Sequence, residues 1–135
     1  MYKNILIPVV FETPEITQTA FDAAQALASK DAKLTLLHVI ETVPIYVADY
    51  IPTDVFSVAR ETVQAQLEAL ALELPECTTA IADGRAGPRV TRWAEESGMD
   101  CIVIASHQPA FSDILLGSVA QYVVRHAKCA VHVVR

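Results

Sequence analysis

The stretch CIVIASHQPAFSDILLGSVAQYVVRHAKCAVHVVR, residues Cys101 to Arg135, carries a complete strand–helix–strand unit. CIVIAS (Cys101–Ser106) is a continuous apolar run of strand length, and AVHVVR (Ala130–Arg135) is another. Between them Val119, Tyr122, Val123 and His126 fall at helical spacing. Two strands joined through a helix are expected to lie parallel, with a right-handed crossover. The segment from Ala105 to Ser118 separates the first strand from the helix and ends in Gly117-Ser118, where the helix is expected to begin.

The same alternation extends back to the N-terminus. NILIPVV (Asn4–Val10) reads as a first strand, followed by Thr13 as an N-cap and Pro14 at the first helical position. Ile16, Ala20, Ala23, Ala24 and Leu27 give that helix an apolar face. KLTLLHVI (Lys33–Ile40) is a second buried strand. After the loop ETVPIYVADYIP, a long helix is marked by Phe56, Ala59, Val63, Leu67, Leu70 and Leu74 and stopped by Pro75. CTTAIA (Cys77–Ala82) is a third strand, and DGRAGP reads as a tight turn served by Gly84 and Gly87. Pro88 opens a third helix with Val90, Trp93 and Ala94 inward and Gly98 as its stop. The order βαβαβαβαβ specifies an α/β fold with a mostly parallel, doubly wound sheet and helices on both faces. Ligands in such sheets sit beyond the carboxyl ends of the strands, where strand order reverses. If the first strand lies beside the fourth, Pro8, Val9, Val10, Ala105, Ser106 and His107 line that crevice.

Composition narrows the function classes. The 135 residues suit one domain, and 53% hydrophobic with 19% charged residues exclude a disordered chain. A net charge of −6 argues against a broad nucleic-acid surface but leaves room for a small anion held by backbone N–H groups. Apolar runs are too short to span a bilayer, and the N-terminus lacks a secretory pattern. Cys77, Cys101 and Cys129 are odd in number and set in apolar runs, so a reducing, cytoplasmic setting is expected.

The chemistry candidates each keep two readings. Gly117-Ser118 is an ordinary serine cap or an anion site on the unpaired N–H groups of a helix start. His107 either touches a phosphate or bonds loop carbonyls. Arg85 either reaches a phosphate or is solvated, and Tyr46 and Tyr50 cover a base, cover a partner, or pack over the sheet. Ser106 and His107 are neighbours that point to opposite faces, so they do not form a catalytic pair. His38 and His132 read as structural, and His126 suits the C-terminal end of its helix dipole. No His/Cys/Asp/Glu set has metal-ligand spacing, and neither G-x-x-x-x-G-K-[ST] nor G-x-G-x-x-G occurs.

Over its whole length the chain resembles the universal stress proteins, the UspA-like superfamily. LLGSVAQYVVRHAKCAVHVVR carries the resemblance most strongly, supported by ILIPVV, KLTLLHVIE and DCIVIASH. The resemblance implies a Rossmann-like sheet of five parallel strands in the order 3-2-1-4-5, a single domain over residues 1–135, a homodimer and a role in stress survival. It also implies bound ATP, with any Mg²⁺ held mainly by the phosphates.

The family's nucleotide pattern is glycine, two residues, glycine, nine residues, then glycine with serine or threonine. Gly117 and Ser118 match its end, whereas the first two glycines fall on Ala105 and Gln108 and the second interval is one residue shorter. The form A-S-H-x-P with L-L-G-S resembles the F/G-type subgroup, in which ATP is kept with an altered loop. Pro109 stiffens that loop by fixing its own φ and restricting Gln108. The usual aspartate after P-V is replaced by Val10, and Val39 matches the position whose backbone meets adenine. The expected site is therefore Pro8, Val9, Val10 and Val39 at the base, with Ala105, Ser106, His107, Gln108, Gly117, Ser118, Val119 and Ala120 at the phosphates. Two other expectations stand beside it: a nucleotide-free dimeric interaction protein, and a slow ATP hydrolase using His107 or Asp113. No recognised catalytic motif supports the hydrolase. Antiparallel pairing of Ala130–Arg135 with a second copy would cover the edge of the last strand.

Overall fold

The computed structural model describes residues 1–10, 14–41, 44–106 and 117–135, without the side chains of residues 14–16. Five strands, β1 (Tyr2–Pro8), β2 (Ala28–Ile40), β3 (Cys77–Asp83), β4 (Cys101–Ala105) and β5 (Ala130–Val134), form one parallel sheet in the order β3-β2-β1-β4-β5. This is the doubly wound 3-2-1-4-5 arrangement expected from the sequence. The helices are α1 (Pro14–Leu27), α2 (Ile45–Ala48), α3 (Thr53–Ala71), α4 (Ala86–Glu96) and α5 (Ser118–His126).

Strand alternation sorts the core into two layers. Ile5, Ile7, Leu34, Leu36, Cys101 and Val103 pack with Ala20, Phe21 and Ala24 of α1 and Leu67 of α3. Leu6, Leu37, Ile102 and Ile104 face Val90 and Ala94 of α4 and Ala120 and Val123 of α5. Both faces are buried, which is why the central strands read as continuous apolar runs rather than alternating ones. At the amino edge the Asp100 carboxylate accepts the N–H groups of Lys3 and Asn4 at 2.9 and 3.0 Å, pinning β1 to the start of β4.

Several local expectations change. The first helix starts at Pro14 as read, while its Thr13 cap and the Ile16 side chain lie outside the described residues. The second strand is assigned from Ala28, with a register break between Tyr2 and Asn4 that the Lys33 start did not anticipate. Helix α3 ends at Ala71, before Pro75, and Leu67 is its one fully buried residue. Its first ten residues, Phe56 and Ala59 included, are exposed. A bidentate Arg60–Asp83 ion pair at 3.0–3.2 Å ties that part to the end of β3.

Helix α4 begins at Ala86 rather than Pro88, with Arg85 at the cap and Pro88 in third position. Proline is tolerated there because the first-turn N–H groups lack helical partners anyway. Gly84 supports the turn with φ +138°, but Gly87 does not: it is helical, and a Cβ on it would come within 2.9 Å of Tyr122 Cβ and Cγ. Gly87 instead lets α4 and α5 approach closely. Gly98, at φ +68°, ends α4 as expected. Met99 N–H bonds to Ala94 O at 2.9 Å, a Schellman closure.

Candidate functional site

The order reversal between β2-β1 and β4-β5 opens a crevice at the carboxyl edge of the sheet. Pro8, Val9, Val10, Val39, Ala105 and Val119 line it, with Ala86 from α4 and Thr17 and Ala20 from α1. Its volume is about 100 Å³. That is less than the roughly 300 Å³ at the low end of small-molecule pockets, so a nucleotide-sized ligand would extend out over the strand ends.

The crevice floor is held by hydrogen bonds at both ends of one residue. Val9 N–H donates to Leu37 O at 2.8 Å, and Val9 O lies 2.8 Å from His38 Nδ1. A carbonyl can only accept, so His38 carries its proton on Nδ1. The structural reading of His38 is thus realised at the crevice itself. Val10, just past this clamp, is 55% exposed.

Ser106 and Gly117 bracket residues 107–116. Ser106 is buried; its N–H donates to Val134 O at 2.7 Å, and its Oγ accepts Gly117 N–H at 2.8 Å. Gly117 caps α5, and among the described residues no side chain bonds to the N–H groups of Ser118, Val119 or Ala120. The first helical hydrogen bond runs from Gln121 N–H to Gly117 O at 2.9 Å. The N–H groups of Ser118, Val119 and Ala120 therefore have no partner inside the helix and give this end its positive character. Ala120 is buried, with its methyl in the core.

The structure thus brings Pro8, Val9, Val10, Val39, Ala105 and Val119 around one crevice. Ser106 stands behind the end of β4, and Gly117, Ser118 and Ala120 form the helix start beside it. His107 and Gln108, with Pro109 and Asp113, lie outside the described residues.

Residues missed by the sequence reading lie on α4 and at the end of β2. Glu41 Oε1 accepts Ala86 N–H at 3.0 Å, closing the start of α4. HVIE placed Glu41 just after the strand, but not that α4 would begin at Ala86. Arg85 is exposed and lines a second cleft with Glu41, Ser118 and Tyr122. Tyr46 and Tyr50 are 74% and 89% exposed, which overturns packing over the sheet. His132 is exposed on β5, and His126 stacks on Tyr122 with ring centroids 4.0 Å apart. The three thiols are free, and burial pushes Cys77 and Cys101 up to about 11, so neither supplies a thiolate at neutral pH. Among the described residues, no group of three or more His, Cys, Asp or Glu side chains is placed to hold a metal ion.

A five-stranded parallel sheet with a crevice at its switch point, beside the start of α5, defines a Rossmann-like doubly wound α/β domain. The universal stress protein family model matches residues 1–135, and the chain belongs to that family. It is 34% identical over 143 residues to universal stress protein G of Escherichia coli and of Shigella flexneri, covering 100% of each chain. Its fold is similar to a solved hypothetical protein whose biochemical function was assigned from its structure: TM-score 0.83, 28% identity, 99% and 96% of the two chains covered. The universal stress protein of Archaeoglobus fulgidus in complex with dAMP shares the fold at TM-score 0.69 and 18% identity, with 99% and 98% covered.

Proposed function

We propose that the protein binds an adenine nucleotide, ATP among them, as a homodimeric stress-response regulator of the cytoplasm. One observation carries this reading: the start of α5, whose Ser118–Ala120 N–H groups have no partner within the helix, adjoins an apolar crevice, and Val119 belongs to both. The crevice takes the flat apolar base, and the helix start takes the phosphates. The base lies between Pro8–Val10 and Val39, whose backbone remains available whatever its side chain. Ser118, Val119 and Ala120 offer N–H groups to the phosphates, and Ser106 borders them. The Archaeoglobus fulgidus relative, solved with dAMP, supports the adenine class. Val10 supplies no polar contact where the family usually has an aspartate, so affinity rests on backbone and apolar contacts. Any Mg²⁺ is held chiefly by phosphate oxygens and water.

In the dimer, β5 is an edge of the sheet, and pairing Ala130–Arg135 antiparallel to a second copy covers it. The protein acts as a single domain over residues 1–135. No helix among the described residues is long and apolar enough to cross a membrane.

Calorimetric titration of ATP and AMP into nucleotide-stripped protein tests the binding. Saturable binding near one nucleotide per protomer is expected. Silence at millimolar ATP would replace this reading with the nucleotide-free interaction protein, for which the exposed Tyr46 and Tyr50 provide a surface.

A further inference from the structure

Ala86 and Val119 line both the base crevice and a neighbouring cleft of about 170 Å³, so the two spaces adjoin. Glu41, Arg85 and Ser118 line the second cleft. It therefore lies between two helix starts that differ in state. At α4, the Glu41 carboxylate already occupies the anion position by accepting Ala86 N–H. At α5, the Ser106 hydroxyl accepts Gly117 N–H, and among the described residues no carboxylate or other side chain bonds to the N–H groups of Ser118–Ala120.

An anion resting on the Ser118 end of α5 shares this small cleft with a fixed carboxylate. Over such a space, charges lie within about one Debye length, roughly 8 Å, and still repel in physiological salt. The repulsion scales with ligand charge. It is absent for adenosine, acts on up to two charges for a monophosphate, and acts on more for a triphosphate.

We propose that Glu41 sets the phosphate-chain selectivity of the crevice, its carboxylate lowering affinity for ATP relative to AMP and adenosine while Arg85 opposes it. This rests on the nucleotide reading above. Glu41 is therefore a specificity residue as well as a cap for α4. The short-chain bias it imposes narrows the advantage that a triphosphate would otherwise draw from the α5 helix start.

The test compares Kd values for adenosine, AMP and ATP in the wild-type protein, Glu41→Gln and Arg85→Gln. Glutamine keeps an oxygen to accept Ala86 N–H while removing the charge. In Glu41→Gln, ATP is expected to tighten about three- to fivefold, the size of exposed ion-pair effects, with a smaller gain for AMP and none for adenosine. Arg85→Gln, which leaves the Glu41 contact in place, is expected to weaken ATP by a similar factor. It gives a second measurement should Glu41→Gln unsettle α4. Raising salt from about 0.05 to about 0.5 M should shrink both effects. Equal changes for all three ligands would reduce Glu41 to a structural cap, and an unchanged ATP-to-adenosine ratio in both variants would overturn the proposal. If none of the proteins binds any of the three ligands, the nucleotide reading itself fails and takes this inference with it.

Discussion

Helices α4 and α5 lie side by side on one face of the sheet and both start at its carboxyl edge, yet their starts are treated oppositely. Helix α4 receives its anion from within, because Glu41 follows β2 directly and bonds to Ala86 N–H. Helix α5 begins at a glycine whose own N–H is taken by Ser106, while among the described residues no side chain bonds to the N–H groups of the turn beyond. Positive ends of equal origin thus become a closed structural joint in one case and the proposed anion seat in the other. The difference lies in what stands beside each helix start. The residue after the neighbouring strand β2 brings a carboxylate to α4 from 45 residues away, and among the described residues no carboxylate bonds to the start of α5.

The largest expected effect breaks the open end. Gly117→Val places a β-branched side chain, poor as an N-cap, where phosphate must approach the N–H groups of Ser118–Ala120. ATP affinity should fall more than tenfold by calorimetry, with the fold retained by circular dichroism. Next comes the contact that holds the two helices together. Gly87→Ala gains about 1 kcal/mol in helix propensity, but its methyl meets Tyr122 at 2.9 Å. Overpacking of this kind costs about 1–3 kcal/mol or more, and Tyr122 Cβ is fixed by its backbone, so a net loss of about 1–2 kcal/mol is expected in urea unfolding.

A smaller change concerns the bracket behind α5. Ser106→Ala removes the acceptor of Gly117 N–H and should cost about 1 kcal/mol of stability. Its effect on ATP affinity should be well below that of Gly117→Val, because Ser106 orients the helix start while the N–H groups beyond Gly117 do the binding.

Much of this arrangement was legible in the sequence. Continuous apolar runs and helical spacings gave five strands and four of the five helices, the short α2 (Ile45–Ala48) falling in the stretch read as a loop, and the reversal of strand order located the crevice between Pro8–Val10 and Ala105–Ser106. Gly117-Ser118 marked the start of α5. What escaped notice depends on tertiary geometry. Gly87 looked like a turn residue because glycine serves turns and close approaches alike, and only the neighbouring Tyr122 tells them apart. Pro88 seemed to open α4, although a first helical turn accepts proline at more than one position. Phe56 and Ala59 fit a helical period, but periodicity does not report which turns of a helix are covered. Glu41 gave no local signal at all, since its partner, Ala86 N–H, is 45 residues away.

The most direct test is amide NMR of the nucleotide-stripped protein titrated with ATP. The account predicts that the N–H resonances of Ser118, Val119 and Ala120 shift most, together with Val9, Val10 and Val39, while those of β5 and the amino edge of the sheet stay in place. Saturable shifts confined to residues outside the crevice, or no shifts at millimolar ATP, would contradict it.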